Sequence, residues 1–406
     1  MNPIVIIGFA EALSAPEVVW SLVDAGCTVR AFGRKGQPSA LRHSRHTSVV
    51  DVTPPEKDSA ATVQEVSALG RQLITDNSGR PVVIFPLDDA AVWLGDRVVS
   101  PPTNDGSTPV LAGPSNRSVA LALDKAVQVE AARAAGFKVP VTRILRTKAD
   151  AGTEEINFPI ILKPAEAIVW REGRLRKVRN WICANQQELD AAMEGWGESV
   201  PLLLQPFVRG TGEGVFGMAL PDGPAAISAH RRVRMMNPHG SGSSACVSQA
   251  VPSDVKHAAE QFIRQTGWRG LFMIELLRDQ NGKAWFMEFN GRPWGSIALA
   301  RRQGFEYPAW NVRLALDPQW RVPSHPLVKP GLVCRNAGRE LMYPLFVLRG
   351  PKSDALQHWP GFWRSVAEIA RVNSRHVFYN WRRDDARVFV SDCIYTLRSN
   401  LLKSKR

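Results

Sequence analysis

Residues 270–292, GLFMIELLRDQNGKAWFMEFNGR, hold two alternating apolar runs on either side of DQNG, a strong turn signal, and read as a β-hairpin. This stretch constrains the chain most, because its runs carry acids where a buried strand should carry none. Glu275 lies in the first run, and Glu288, Asn290 and Arg292 follow in the second. Side chains two apart on a strand share a face, so a carboxylate, an amide and a guanidinium stand in a row. With an even-numbered loop, Glu275 pairs across from Phe286 and Glu288 is its diagonal neighbour, about 7–8 Å away between Cα atoms. Solvated acids on a half-exposed hairpin are the plain alternative. Phe, Met, Trp, Ile and Leu surround these acids on both faces, however, and unpaired buried carboxylates are costly. Glu275, Glu288 and Asn290 then form a hard-oxygen donor set with no histidine or cysteine nearby. Such a set suits magnesium or manganese, with phosphate oxygens completing the shell.

The chain has 406 residues, 44% hydrophobic and 22% charged, enough for two or three domains with cores of their own. No run of about 18 apolar residues is present, and the start, MNPIVIIGFAEAL, lacks the pattern of a signal peptide. Five scattered cysteines form neither a disulfide framework nor a zinc pattern and point to a reducing cytoplasm. The net charge of +13 calls for anionic partners. Much of the excess is local, in WREGRLRKVR (170–179), HRRVR (230–234) and the tail LLKSKR, and no nucleic-acid-binding motif accompanies it. Nucleic acid is therefore not the expected partner.

Along the chain, IVII (4–7), TVRAF and PVVIF (81–85) alternate with helical stretches such as PEVVWSLVDAG, the pattern of a parallel α/β domain. GFAEAL after the first run has one glycine where dinucleotide binding needs three. Residues 101–116 are rich in turn formers and read as a linker. RSVALALDKAVQVEAARAAG reads as one alanine-rich helix ended by Gly136, and strands dominate from FPIILKP (158–164) onward. In the tail, Ala386, Val390, Cys393 or Ile394, Leu397 and Leu401 recur at helical spacing. Two readings stand for that helix: packing on the body of the protein, or a basic amphipathic contact with a membrane or a membrane-bound partner.

Three further features bear on the acidic row. Lys163 closes the apolar run FPIILKP, either as a strand-end lysine or as a phosphate ligand. LLLQPFVRGTGEG (202–214) pairs a strand with an extended Gln-Pro-Phe-Val segment that can meet a heterocycle edge, and Glu213 can accept from sugar hydroxyls. Arg232 and Arg234 are expected on one strand face, and GSGSSA beyond them is a turn suited to an oxyanion. His230 and His239 read as structural or solvated.

The order Lys125, Lys163 in PIILKP, LLLQPFVRG, then IEL…MEFNGR resembles the ATP-grasp superfamily over residues 1 to about 325. EFNGRPWGSIALARRQG is most similar to its carbamoyl-phosphate-synthase-like group of ATP-dependent carboligases, which includes D-aspartate ligase. The resemblance implies an N-terminal parallel α/β (pre-ATP-grasp) domain over 1–115 and small and large ATP-grasp subdomains over 116–200 and 201–325. A C-terminal helical extension would cover 326–406. It implies that Lys125 and Lys163 contact ATP phosphates, that Gln205, Pro206, Phe207 and Val208 form an adenine hinge, and that Glu213 lies near the ribose. It further implies that Glu275, Glu288 and Asn290 hold Mg2+ (or Mn2+), and that Arg292 faces the reacting phosphoryl group or the substrate carboxylate; Arg234, from its own position, is expected to join Arg292 in binding carboxylate and phosphoryl oxygens. The implied activity is an ADP-forming carboxylate-amine (or carboxylate-thiol) ligase working through an acyl phosphate. A carboxylase of carbamoyl-phosphate type and a nucleotide-binding module without turnover remain alternatives, and the oligomeric state stays open, a homo-oligomer included. One departure is PAEAIVWREGRLRKV after Lys163, where many relatives carry a glycine-rich loop. Arg171, Arg174 and Arg176 are candidates to replace its backbone contacts with charge.

Overall fold

In the computed structural model, which describes residues 2–100, 107–151, 156–198, 200–238, 240, 242–323, 326–351 and 359–402, the first apolar run is strand β1 (Ile4–Gly8). Helix α1 (Ala15–Asp24), with Pro16 in its first turn, leads to β2 (Thr28–Arg34), β3 (Thr47–Val52), α2 (Ser59–Asp76), β4 (Val82–Pro86), α3 (Asp89–Val98) and the short β5 (Val110–Leu111). All five strands are parallel, in the order β3-β2-β1-β4-β5. Crossover helices cover both faces of such a sheet, which is why β1 and β4 are buried at every residue. The stretch expected as a linker thus supplies an edge strand; residues 101–106 within it lie outside the described residues.

Residues 117–136 form two helices, α4 (Arg117–Leu123) and α5 (Lys125–Ala134), where one was expected. Asp124 is extended, and its carboxylate accepts from the backbone of Ala126 and Val127 as the α5 N-cap. The break occurs because the chain after Lys163 docks there: Lys125 N–H donates to Ala165 O at 2.7 Å, and Ala167 N–H to Leu123 O at 2.8 Å. Lys125 is thereby fixed as the first residue of a helix. Gly136 ends α5 with φ +91°, a conformation that favours glycine.

Strands β6 (Arg143–Leu145) and β7 (Ile160–Pro164) follow, then a small hairpin, β8 (Val169–Arg171) and β9 (Arg174–Arg176), then β10 (Trp181–Cys183), α6 (Gln186–Trp196) and β11 (Leu202–Pro206). An antiparallel sheet of order β10-β7-β11-β6 results, with α6 packed through Leu189 and Trp196 on one face.

The large sheet begins with β12 (Thr211–Leu220), β13 (Gly223–Met235) and β14 (Ser243–Gln249), and continues after α7 (Ser253–Thr266) with the hairpin β15 (Gly270–Arg278) and β16 (Ala284–Asn290). Helix α7 buries Phe262 and Ile263 against Phe272 and Phe286 on the back of this sheet. Helices α8 (Ile297–Arg301) and α9 (Tyr307–Leu316) pack with α1, so the large sheet and the N-terminal sheet share one core. The C-terminal region is not purely helical. Strands β17 (Val333–Arg335) and β18 (His376–Phe378) extend the large sheet, in the order β16-β15-β12-β13-β14-β17-β18, around α10 (Ala337–Leu348), α11 (Phe362–Ala370) and α12 (Ala386–Leu402). Among the described residues no helix is long and apolar enough to cross a membrane.

A buried ion cluster clamps this extension to the sheet. Glu340 of α10 accepts from Arg234 at 2.7 Å, from Arg335 at 2.6 Å and from Ser244 Oγ at 2.8 Å, with 3% of its side chain exposed. Removing one partner of a buried ion group strands the other charges at a cost of about 3–5 kcal/mol. Glu340→Ala is therefore expected to lose about that much stability in a denaturant titration, because two guanidinium groups lose their shared acceptor. A loss within about 0.5 kcal/mol, the usual range for surface changes, would show that the clamp carries no stability.

Candidate active site

The hairpin delivers both acids to one face by a route different from the expected one. Arg278 pairs with Ala284, so the loop spans 279–283 and is odd-numbered. Continued in that register, Glu275 would oppose Met287, and Glu288 would point to the other face. A β-bulge at Met287 shifts the ladder by one, and Glu275 directly opposes Glu288, with Asn290 opposite Met273. Residues directly opposite lie about 4.5–5.5 Å apart at Cα, closer than the diagonal expected. Two carboxylates so placed repel each other, and cations surround them. Arg232 Nη2 lies 2.6 Å from Glu275, and Lys125 Nζ lies 3.5 Å from Glu288.

Lys163 faces the same space from β7. That strand alternates, with Ile160, Leu162 and Pro164 in the core and Ile161 and Lys163 turned to the cleft. Burial pushes the Lys163 ammonium below its ordinary value of 10.5, and the charges of Glu288 and Glu275 pull it partly back. Lys125, Lys163, Glu275, Glu288, Phe207 and Val208 line one cavity of about 900 Å3, walled further by Ile161, Ile182, Leu277 and Met287. Apolar walls at one end and lysines with carboxylates at the other suit a flat ring carrying a polyanion.

A second cavity of about 560 Å3 shares Glu275, Glu288, Arg232 and Gly242 with the first. Asn290 and Arg292 line it, as do Asp88 and Asp89 from the N-terminal sheet and Arg339 and Tyr379 from the C-terminal extension. Arg292 lies beyond the end of β16, and its Nε donates to Asp89 at 2.6 Å. That pairing raises its guanidinium further above the ordinary value, against burial, and holds the Asp89 carboxyl down. His230, on the wall, donates or accepts through Nδ1 with Ser296 Oγ at 2.9 Å, and burial pushes its pKa down to about 3. A neutral imidazole at any ordinary pH fits the structural role expected for it. His239 and Ser241 lie outside the described residues.

Four expected placements differ. Glu213 opposes Leu276, so strand alternation puts it on the back of the sheet, where Arg278 Nε donates to it at 3.0 Å; Thr211 and Gly212 line the cleft instead. Gln205 and Pro206 are spent on the β11–β7 ladder, and Gln205 donates to Thr142 Oγ1 at 2.8 Å, leaving Phe207 and Val208 to reach the cavity. Arg232 and Arg234 do not share a face: a bulge at Val233 sets them opposite Cys246 and Ala245, consecutive residues of β14. Arg234 borders the large cavity, but its guanidinium is bound to Glu340. Arg171, Arg174 and Arg176 sit on the β8–β9 hairpin, which docks on the N-terminal sheet by burying Leu175 and by a hydrogen bond from Trp170 Nε1 to Ser59 Oγ at 3.0 Å. None of the three lines either cavity; Lys177, just beyond, lines the smaller one.

Sequence reasoning did not anticipate Arg339 and Tyr379. Arg339 Nη1 donates to Ser243 O at 3.0 Å, and Gly242 makes room for it, since a Cβ there would stand 2.5 Å from Arg339 Nη1. Neither lies in a recognisable pattern, and only the fold brings the extension over the cavity. Among the described residues no group of three or more His, Cys, Asp and Glu side chains could by itself hold a metal ion. Two carboxylates and an amide oxygen are the chain's contribution, which leaves a hard cation dependent on oxygens from a bound anion.

No protein-family model matches the sequence, and no curated protein matches it. Solved structures do. An L-amino acid ligase from Bacillus licheniformis aligns with TM-score 0.58 and 15% identity, over 78% of this chain and 74% of that one. The biotin carboxylase domain of the Hydrogenobacter thermophilus 2-oxoglutarate carboxylase, in complex with MgADP, ADP and bicarbonate, aligns with TM-score 0.61 and 17% identity over 82% and 73%. An ADP complex of N5-carboxyaminoimidazole ribonucleotide synthetase aligns with TM-score 0.59 and 13% identity over 86% and 87%. At these identities the likeness establishes the fold.

Leu175→Ala is expected to release the β8–β9 hairpin. A buried leucine truncated to alanine costs about 2–5 kcal/mol, and a local opening made easier by that amount exposes the chain to protease. Tryptic cleavage after Arg171, Arg174 or Arg176 should then rise at least about tenfold under native conditions, read by mass spectrometry of the first fragments. Unchanged cleavage would mean that Leu175 does not hold the hairpin.

Proposed function

We propose that this chain, which carries the ATP-grasp fold, is an ATP-dependent ligase that activates a carboxylate as an acyl phosphate and passes the acyl group to an amine, releasing ADP and phosphate. The observation that carries this reading is the meeting of two cavities at Glu275, Glu288, Arg232 and Gly242. A nucleotide in the larger one would direct its terminal phosphate to the shared wall, and the acid to be activated would meet it from the smaller one. The fold's solved relatives include an amino acid ligase and ADP-bound enzymes.

In this reading Phe207 and Val208 flank the base, and Lys125 and Lys163 bind phosphate oxygens by charge-assisted hydrogen bonds. Glu275, Glu288 and Asn290 would hold Mg2+, a fit argued from their oxygen-only donor set; when bound, the metal neutralises charge building between the β- and γ-phosphates. Arg232, positioned over Gly212 where a Cβ would stand 2.5 Å from its Cδ, faces the shared wall and can bind an oxygen of the transferred phosphoryl group. Arg292, held by Asp89, and Arg339 present guanidinium groups to the incoming carboxylate. Gly242 and Ser243 line the smaller cavity, and their backbone N–H groups would bind the tetrahedral oxyanion. A carboxylate oxygen attacks the γ-phosphorus, ADP departs, the amine then attacks the carbonyl carbon, and phosphate departs with that oxygen.

The experiment follows the oxygen. With an 18O-labelled carboxylate identified from acid and amine pools by ATP-dependent phosphate release, the label is expected in phosphate. Label in AMP would overturn the mechanism, and phosphate release that requires bicarbonate would favour a carboxylase. Glu288→Gln is expected to lower turnover at least about 100-fold with the fold intact by circular dichroism, since it removes charge from the shared wall.

Lys163 gives the reading a pH signature. Its folded value lies below 10.5, so in the window between the two the unfolded chain holds more protons and stability rises with pH. Nucleotide phosphates favour the charged form, so ATP affinity should instead fall as pH rises through the lowered value. Lys163→Arg should flatten that fall, and Lys163→Ala should weaken ATP roughly tenfold at neutral pH by loss of a charged contact. Calorimetry across alkaline pH reads all three; parallel profiles for Lys163 and Lys163→Arg would remove Lys163 from the phosphate site.

A further inference from the structure

The outer surface of the C-terminal helices carries apolar side chains that the fold leaves uncovered. Val390, Ile394 and Leu401, in the periodic stripe of α12 that left packing and membrane contact both open, are all exposed; Val388 is the one fully buried side chain among those described in that helix. Leu341, Leu345 and Leu348 form an exposed stripe on α10, at i, i+4 and i+7, with Leu348 62% accessible. Trp363 on α11 is 80% accessible, and Val372 is exposed just after that helix. Helix α10 packs against both α11 and α12, so these residues belong to one helical layer. Ten of the sixteen exposed large hydrophobics among the described residues fall after residue 326, in one fifth of the chain. Such a concentration exceeds the scattered exposure normal for soluble proteins.

The same region is basic: among its described residues after 326, eleven lysines and arginines stand against five acids. Exposed arginines adjoin exposed apolar residues in sequence: Arg349 follows Leu348, Arg371 precedes Val372, and Arg364, paired at 3.0 Å with the exposed Glu368, follows Trp363. A protein interface gathers its apolar residues at the centre and its charges at the rim. Arginines set beside Leu348, Trp363 and Val372 instead match a surface lying at a lipid boundary, where the ring and aliphatic groups enter the acyl region and the guanidinium groups meet phosphate.

We propose that the face formed by α10, α11 and the exposed stripe of α12 docks on an anionic lipid surface. Docking there sets the smaller cavity, walled by Arg339 of α10 and Tyr379 beside β18, close to the membrane. The proposal stands apart from the ligase reading, because it requires no turnover.

Flotation of the full chain with phosphatidylcholine vesicles, with and without phosphatidylglycerol, tests it. The chain is expected to float with the anionic vesicles only, and to be released as salt rises from about 0.1 to about 0.5 M. Leu348→Ser with Trp363→Ser, and separately Arg349→Glu with Arg364→Glu, should each lower the bound fraction at least about tenfold. Both sites are exposed, so the thermal midpoint should hold. No flotation, or flotation equal in all three proteins, would overturn the proposal. So would a concentration-dependent dimer in sedimentation velocity that the Leu348 and Trp363 changes abolish, since the face would then be covered by a second copy.

Discussion

Glu275 and Glu288 oppose each other across two strands, and like charges in that position repel. Their pairing is stable only with cations around it, and the chain draws those cations from elements far apart in sequence. Lys125 comes from the first residue of α5, Lys163 from β7, and Arg232 from β13. Each depends on a local device: the Asp124 cap sets the start of α5, the alternation of β7 turns Lys163 inward, and Gly212 leaves space for the Arg232 stem. The small sheet and the large sheet are thus held around one charge cluster, and the cleft between them is where a divalent cation and a polyanion would complete the balance.

The parts of this arrangement that follow from composition along a single strand were readable in the sequence. The parallel N-terminal sheet, the hairpin and the acids it carries, and the lysine at the end of PIIL all announce themselves through periodicity and turn residues. Register was not readable. The odd loop and the bulge at Met287 each shift the ladder by one residue, and the two shifts together restore a shared face for Glu275 and Glu288. At Val233 a single bulge had the opposite result and separated Arg232 from Arg234. A bulge is one extra residue with no required side chain, so no residue type marks it in advance. Glu213 fails for a simpler reason: the residue's neighbours suggest a loop, while the chain is already in β12, where alternation sends it to the back of the sheet.

Contacts made by distant segments were also invisible. Arg339 and Tyr379 reach the smaller cavity only because β17 and β18 join the edge of the large sheet and carry α10 with them. The buried Arg234–Glu340–Arg335 cluster fixes that docking, and Trp20 Nε1, donating to Asp385 at 2.9 Å, ties the same extension to α1. An arginine read from sequence as a substrate ligand is in fact a structural ion, while one with no sequence signal lines the cavity. Which of two arginines is bound to a carboxylate depends on where the nearest buried acid lies, a property of the assembled fold.

This use of arginine also bears on the basic charge of the chain. In the body of the protein three guanidinium groups that line the two cavities are neutralised: Arg232 by Glu275, Arg234 by Glu340, and Arg292 by Asp89. They contribute to the total but project little field to a distance, because each lies within a few ångströms of a carboxylate. Among the described residues after 326, basic groups outnumber acids, and Arg349, Arg364 and Arg371 are exposed next to Leu348, Trp363 and Val372. A uniform basic surface would favour a polyanion such as nucleic acid, held through phosphates alone. A basic face interleaved with apolar side chains gains instead from a partner offering both anionic and hydrocarbon surface at once. The chain thereby separates two uses of positive charge: buried arginines paired with carboxylates that shape an interior site, and exposed ones such as Arg349 and Arg371 that set what the outer face will meet.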